Sequence, residues 1–276
     1  MTPACPRSYL FVPGNRPGRF DKAASSGADA IILDLEDAVP GPEKAAAREA
    51  IATWLQEARP AVRIHVRVNA ADSAAFDEDA RFVDGLADAV GVMLPKAEPE
   101  SVRRWAARNG DARELIALVE TVRGVLHVRP MLALGRAARV AFGDVDFAVD
   151  SGIQAGPGGE ELAWIRTQLV LESRLAGLPA PIDGVTLDVG DAEAATHDAL
   201  RARRFGFGAK MCIHPRQVAA VNAAFRPTAA QLEWARGVLD ADAASAGAAV
   251  TYLGAMVDRP VVERARRLLL EAGHTP

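Results

Sequence analysis

A chain of 276 residues, half of them apolar, can bury one large core and falls within the size range of a single α/β barrel. The formal net charge of −4, the pI near 5.8 and the lack of a long basic run give no electrostatic basis for nucleic-acid binding. The N-terminal segment has no secretory apolar core, and nowhere do about 18 uncharged apolar residues run together. We therefore expect a cytoplasmic protein without a membrane span.

Short β-rich runs alternate with segments of helical periodicity up to about residue 215. The predicted strands are Tyr9–Pro13, Ala30–Asp34, Arg63–Val68, Gly91–Leu94, Leu115–Val119, Arg139–Phe142, Gly184–Leu187 and Ala209–Ile213. Runs such as AIILDL are apolar on both faces, as in a barrel wall between a filled interior and an outer helical ring. The pattern predicts a (β/α)₈ TIM barrel, and a doubly wound open sheet is the alternative.

Beyond the eighth unit the chain continues with a predicted helix at Thr228–Ala244, the segment Val250–Met256 and a last helix at Pro260–Glu271. A minimal barrel does not need these elements. We therefore predict a barrel domain over residues 1–225 and a helical C-terminal extension over 226–276. Such an extension typically caps the barrel or contacts another subunit, so we expect an oligomer.

In barrel enzymes the catalytic side chains follow the C-terminal ends of the strands. The polar residues at those positions are Glu36, Asp37, Arg67, Asn69, Lys96, Glu98, Glu120, Asp144, Asp146, Asp188 and His214. Carboxylates that share one barrel mouth repel each other unless a cation lies between them. Glu120 and Asp146 follow consecutive strands, and two carboxylates with water suit Mg²⁺, whereas no His or Cys cluster favours zinc. For any single acid, an N-cap on the next helix is the alternative.

The basic side chains at the predicted mouth each have two interpretations. Arg67 can bind a substrate carboxylate through two parallel hydrogen bonds, or it can form a structural ion pair with one of the acids. Lys96 and Lys210 can form a Schiff base or, as the acidic surroundings favour, salt bridges. His214 fits a structural role at the last strand better than that of a general base.

Eight motifs occur in order along nearly the whole chain: RSYLFVPGNRP, ADAIILDLEDAV, VRVN, LPKAE, VETVRGV, FGDVDF, KMCIHPRQV and GAMVDRPVV. Together they resemble the HpcH/HpaI aldolase and citrate lyase β-subunit (CitE-like) family. The resemblance implies a (β/α)₈ barrel with a C-terminal extension, assembly as a homotrimer or hexamer, and Mg²⁺ as cofactor, with Mn²⁺ as a substitute. One departure is Val145-Asp146-Phe147, where many relatives carry Glu-Asp-Leu.

The resemblance also implies roles for individual residues. Arg67 of VRVN corresponds to the arginine that holds the substrate carboxylate, next to Glu120. Glu120 of VETVRG and Asp146 of FGDVDF correspond to the metal ligands. The pair Glu36 and Asp37 resembles the acids that order water at the metal. Asp258 of GAMVDRP resembles an acid/base residue that some members insert into the neighbouring subunit's site.

The function implied is that of a Mg²⁺-dependent carbon–carbon lyase of the retro-aldol or retro-Claisen type. Its expected substrate is a hydroxyacyl-CoA such as citryl-CoA or malyl-CoA, with CoA as part of the substrate and a keto acid or acyl-CoA as product. Three alternatives stay open: an aldolase of free hydroxy-keto acids, a malate-synthase-like condensing enzyme, and a subunit that is active only with partner proteins.

Overall fold

The computed structural model of the chain describes residues 5–110, 113–156, 158–244 and 250–274. The chain divides into two compact units, one over Cys5–Asn222 and the other starting at Ala223. Each unit has its own secondary structure and its own apolar core. None of the described helices is both long and apolar enough to cross a membrane.

The first unit contains eight parallel strands that close into a barrel in their sequence order. They are β1 (Ser8–Pro13), β2 (Ala30–Asp34), β3 (Arg63–Arg67), β4 (Gly91–Leu94), β5 (Leu115–Val119), β6 (Arg139–Phe142), β7 (Ile182–Asp183) and β8 (Ala209–Cys212). Closure is direct, because β1 pairs with β2 on one side and with β8 on the other. The predicted (β/α)₈ barrel is confirmed, and the open sheet is wrong.

Helices follow the strands around the barrel. They are α1 (Phe20–Ala24), α2 (Lys44–Ala58), α3 (Phe76–Asp84), α4 (Pro99–Asn109), α5 (Val122–Leu126), α6 (Val128–Leu132), α7 (Asp144–Ser151), α8 (Ala163–Leu175), α9 (Ala192–Phe205) and α10 (Pro215–Ala224). In α2 the periodic residues Ala47, Ile51 and Trp54 are buried. Helical periodicity therefore identified a helix face that packs inward.

The seventh strand is shorter and earlier than predicted, since β7 ends at Asp183, before the run Gly184–Leu187. The Gly184 carbonyl accepts a hydrogen bond from Lys210 Nζ at 2.6 Å. Val185 and Leu187 line a cavity at the barrel mouth, and Leu187 is 67% exposed. An apolar run can line a cavity as well as pair in a sheet. The apolar composition of Gly184–Leu187 therefore led to a predicted strand that lies after the actual β7.

The barrel interior is filled by alternate residues of the strands. Ala30 and Ile32 of β2, Leu118 of β5 and Met211 of β8 belong to one buried cluster. Because side chains alternate between the faces of a strand, the inward face of β2 continues to Asp34 at its C-terminal end. The cavity at the barrel mouth therefore lies above a packed interior.

The described part of the second unit contains two helices and a hairpin: α11 (Ala229–Ala244), β9 (Val250–Tyr252), β10 (Ala255–Val257) and α12 (Arg259–Glu271). β9 and β10 pair antiparallel. Val238 of α11, Val257 of β10 and Leu269 of α12 are buried in a common apolar cluster. The predicted segment Val250–Met256 is thus largely this hairpin, and both predicted helices are present.

Candidate active site

A cavity of about 360 Å³ opens at the C-terminal end of the barrel. Its charged lining residues are Arg19, Asp34, Asp37, Arg67, Glu120, Asp144 and Asp146. Its larger apolar lining residues are Phe11, Pro13, Leu118, Val145, Val185, Leu187, Met211 and Ile213. Most of the charged side chains follow β2 to β6, whereas most of the apolar ones come from β1, β8 and the segment after β7. The cavity therefore has a charged side and an apolar side.

Arg67 ends β3 and is held by Asp34 at the end of the adjacent strand. Its Nε and Nη2 donate to the two carboxylate oxygens of Asp34, each at 2.7 Å. Burial would lower the Arg67 pKa, but the charges of Asp34 and Glu36 outweigh this effect and raise it. The predicted structural ion pair is therefore present, and its partner is Asp34, which sequence reasoning missed. A guanidinium has five N–H donors, so this pair leaves others for a ligand carboxylate.

Glu36 and Asp37 are adjacent in sequence but have different environments. Glu36 is buried, its Oε1 accepts a hydrogen bond from Lys96 Nζ at 2.7 Å, and its Oε2 lies 3.1 Å from Arg67 Nη1. Burial raises the Glu36 pKa, although Arg67 and Lys96 oppose the shift. The Asp37 side chain is 58% exposed, and its Oδ2 lies 3.9 Å from Arg67 Nη1. Glu36 therefore belongs to the buried network, and Asp37 lies at the rim.

Glu120 follows β5 directly and is buried at 2% exposure. Burial and the charge of Glu36 raise its pKa to about 8, and Asp146 also contributes. A Cβ on Gly143 would lie 2.5 Å from Glu120 Oε2, so the glycine provides the space for this carboxyl. Asp146 lies in the first turn of α7, is half-buried and lines the same cavity. Glu120 and Asp146 thus share one side of the barrel mouth.

Lys96 joins the two buried glutamates. Its backbone N–H donates to Glu120 Oε1 at 2.8 Å, while its Nζ donates to Glu36. Its φ of 46° lies in the left-handed region, which is uncommon for a non-glycine residue and costs conformational energy. Burial lowers the Lys96 pKa, but the bond and charge of Glu36 outweigh burial and raise it. The salt-bridge interpretation of Lys96 therefore fits better than a Schiff base, which requires a neutral amine.

A second buried network lies behind α7. Arg166 of α8 is buried, and its Nη2 donates to Asp144 Oδ2 at 2.9 Å while its Nε donates to Asp183 Oδ1 at 3.0 Å. Burial and the neighbouring Asp183 raise the pKa of Asp144. The arginine joins α8 to the first turn of α7, which carries Asp146. Nothing in the local sequence distinguished Arg166, because it lies in a helix recognised by its apolar periodicity.

Other predicted polar residues have local structural roles. Glu98 caps α4 in a capping box with Ser101, so the N-cap alternative was correct for this acid. Asp188 accepts hydrogen bonds from the backbone of Gly190 and Asp191. His214 Nδ1 accepts from the Arg216 backbone N–H at 3.1 Å, and Asn69 is bonded to Leu35 and Asp79. These residues therefore stabilise the segments that follow the strands.

Asp258 lies in the second unit, between β10 and α12. Its side chain caps α12 by accepting a hydrogen bond from the Val261 backbone N–H at 3.2 Å. A role in proton transfer for this residue stays a prediction.

The acids at the mouth can be tested for their fit to a metal ion. Within the described ranges, no group of three or more His, Cys, Asp or Glu side chains is arranged to hold one. Glu120 and Asp146 would therefore supply two oxygen ligands, and water or substrate would supply the others. Mg²⁺ accepts this arrangement because it favours carboxylate oxygens and retains several waters. Burial and the neighbouring acids raise the pKa of Glu120, and a cation bound by Glu120 and Asp146 would offset both effects, so the residues fit the ion.

Comparisons with known proteins cover nearly the whole chain. The family model described as HpcH/HpaI aldolase/citrate lyase matches residues 7–215. A citrate lyase subunit beta-like protein of Deinococcus radiodurans is 39% identical over 97% of both chains. The mitochondrial citramalyl-CoA lyase of Mus musculus is 30% identical over 95% of this chain and 85% of its own.

A solved structure is similar over the same extent. It is a crystal structure of the protein CitE from Mycobacterium tuberculosis in complex with magnesium, acetoacetate and coenzyme A. The two chains superpose with a TM-score of 0.84 at 35% identity, and the match covers 99% of this chain and 100% of the other.

Proposed function

Because this chain belongs to the HpcH/HpaI aldolase/citrate lyase family, a family of carbon–carbon lyases, we propose that it cleaves a hydroxyacyl-CoA in a Mg²⁺-dependent reaction. The observation that carries the proposal is that Arg67, Glu120 and Asp146 line one cavity of the barrel mouth. The ligands of the mycobacterial CitE structure and the activity named for the mouse relative support Mg²⁺ and a CoA thioester.

In the proposed reaction, Arg67 binds the substrate carboxylate, and Glu120 and Asp146 hold the ion. Mg²⁺, when bound, polarises the oxygen on the carbon whose bond is cleaved and stabilises negative charge there. The hydroxyl proton leaves as the carbonyl forms, and the electron pair of the broken bond passes to the carbon next to the thioester. That carbon then takes up a proton. Lys96 and Arg67 keep Glu36 in place, so that Glu36 and Asp37 can order water at the site.

Asp258 is the proposed proton-transfer group. We further propose a homotrimer or hexamer in which this residue enters the neighbouring chain's barrel mouth. The placement of Asp258 between the hairpin and α12, in a unit separate from the barrel, supports this proposal because its carboxylate belongs to the extension and not to the barrel's own site.

Removal of the proposed metal ligands tests the function. Glu120→Ala and Asp146→Ala are each expected to reduce Mg²⁺-dependent cleavage about a hundred- to a thousandfold, because an electrostatic group at the developing charge contributes on that order. Cleavage is followed as keto acid released from citryl-, malyl- and citramalyl-CoA, with and without EDTA. Asp88→Ala, which removes a carboxylate that is 83% exposed, is the matched control and keeps full activity. Turnover that survives EDTA would reject the metal-dependent mechanism.

A further inference from the structure

The charged side and the apolar side of the cavity together indicate which variable substituent the enzyme accepts on the carbon whose bond is cleaved. In a hydroxyacyl thioester the carbon whose bond breaks carries four groups: a carboxylate, a hydroxyl, a variable substituent, and the methylene that leads to the thioester. The proposed function, on which this inference rests, directs the carboxylate to Arg67 and the hydroxyl towards Glu120 and Asp146. Because the carbon is tetrahedral, the variable substituent and the methylene then face away from the charged side.

The opposite side of the cavity offers these groups an apolar wall. Met211 of β8, and Val185, Leu187 and Ile213 at the adjacent loops, form it, whereas the Phe11 ring contacts the Arg67 guanidinium at 4.8 Å and belongs to the charged side. Met211 is buried in the interior cluster, and Val185 packs against that cluster. A hydrogen or an alkyl group gains from contact with this wall, whereas a carboxylate would lose water without a hydrogen-bond partner there.

The charges around the cavity act in the same direction. Its described lining contains five acids against two arginines, Arg19 and Arg67. Arg67 already pairs with Asp34, and Arg19 is exposed at the rim, where solvent weakens its attraction. With Arg67 bound to the first carboxylate and the ion held by Glu120 and Asp146, a second substrate carboxylate would meet no further buried cation among the described lining residues.

We propose that the apolar wall makes this enzyme selective for hydroxyacyl thioesters whose cleaved carbon bears a hydrogen or a small alkyl group. Cleavage of these substrates yields a monocarboxylic keto acid such as glyoxylate or pyruvate. A thioester bearing a carboxymethyl group, which would yield a dicarboxylic keto acid, is disfavoured. Met211, Val185 and Leu187 are the specificity-determining residues.

The test compares malyl-, citramalyl- and citryl-CoA, which differ at that substituent: hydrogen, methyl and carboxymethyl. The value of kcat/KM for malyl- or citramalyl-CoA is expected to exceed that for citryl-CoA by at least about tenfold, the discrimination that a hydrophobic pocket can provide. An equal or higher value for citryl-CoA overturns the proposal.

A charge introduced into the wall should change this preference. Leu187→Arg places a cation at an exposed cavity-lining position and is expected to raise the citryl to citramalyl ratio of kcat/KM about two- to fivefold, because solvent weakens the attraction there. Leu175→Arg is the matched control, since Leu175 is 70% exposed on the outer helix α8, and it leaves the ratio unchanged. Equal ratios in wild type and Leu187→Arg would overturn the assignment of the wall.

Equilibrium binding separates a failure of this inference from a failure of the proposed function. Calorimetry with Mg²⁺ and either pyruvate or oxaloacetate does not require turnover, and pyruvate is expected to bind more tightly. If none of the three thioesters is cleaved, the proposed function fails. The relative affinity for pyruvate and oxaloacetate still decides whether the cavity is selective. Tighter binding of oxaloacetate contradicts the proposal in either case.

Discussion

Glu120 shows how a single side chain connects the fold to the chemistry. The strand that precedes it buries the carboxyl, Gly143 leaves space for it, and Lys96 supplies one backbone hydrogen bond. These contacts fix the orientation of the carboxyl without neutralising its charge. Burial and the neighbouring acids therefore disfavour the ionised carboxylate, and a bound cation would stabilise it.

The raised pKa of Glu120 predicts how stability depends on pH. Between about 4.5 and 8, folded Glu120 binds a proton that the unfolded chain has released. The free energy of unfolding in EDTA should therefore decrease as pH rises through this range, by at most about 1.4 kcal/mol per pH unit from this group. Glu120→Gln removes that contribution, so its stability should decrease less between pH 5 and 8. Urea unfolding at several pH values measures the difference.

Two outcomes decide this prediction. Glu100→Gln, at a largely exposed position, should follow the wild-type pH dependence and serves as the control. If Glu120→Gln and wild type have parallel profiles, Glu120 titrates at an ordinary pKa and the desolvation argument is wrong.

At the scale of elements, the turn from β6 into α7 determines the geometry of the site. Gly143 follows the last residue of β6 and is the N-cap of α7, and Asp144 and Asp146 lie in the first turn of that helix. Acidic side chains in a first helical turn are favoured by the helix dipole, so this position suits carboxylates before any ligand is considered. Arg166 then connects this turn to α8.

Gly143→Ala tests the close packing of this turn. The added Cβ would lie 2.5 Å from Glu120 Oε2, which is too close for an unshifted carboxyl. We expect the free energy of unfolding to decrease by about 1–3 kcal/mol, as for other overpacked sites, and the Mg²⁺ concentration for half-maximal activity to rise. Denaturant unfolding and a Mg²⁺ titration measure the two effects.

Gly41→Ala is the matched control for this substitution, because a Cβ there meets nothing within 4 Å. It should change neither quantity. A Gly143→Ala protein with wild-type stability and metal dependence would show that the turn adapts without moving Glu120.

At the scale of the whole molecule, the barrel unit contains the charged cavity, and the second unit contains Asp258. An active site completed by a neighbouring chain would make catalysis depend on assembly. It would also explain why the chain carries an extension that a barrel does not need for its own core.

Mixing inactive variants tests this arrangement. Arg67→Ala and Asp258→Ala should each reduce activity strongly, because they remove the proposed carboxylate-binding and proton-transfer groups. Mixed oligomers formed by refolding the two variants together should recover a substantial fraction of wild-type activity, since some sites then combine an intact Arg67 with an intact Asp258 from another chain. Light scattering identifies the oligomer, and each variant refolded alone is the control. Without recovery in mixed oligomers, Asp258 does not act between chains.

The sequence alone determined the barrel and most of the charged mouth. Its strands are short apolar runs buried on both faces, so their positions follow from local composition, and six of the eight begin at the predicted residue and lie within the predicted bounds. Polar residues directly after such runs must lie near the C-terminal rim of a parallel barrel. Arg67, Glu120 and Asp146 could therefore be proposed for one site before any coordinates.

Only the tertiary structure decided which of these polar residues contact each other. Asp34 of β2 pairs with Arg67 of the adjacent strand β3, and Lys96 donates to Glu36, which lies sixty positions away in the sequence. Arg166 connects α8 to α7. The same structure assigned Glu98 to a helix cap and moved the seventh strand away from an apolar run that lines the cavity. Hydrogen bonds and burial between residues far apart in sequence depend on how the barrel closes, and local periodicity carries no information about that closure.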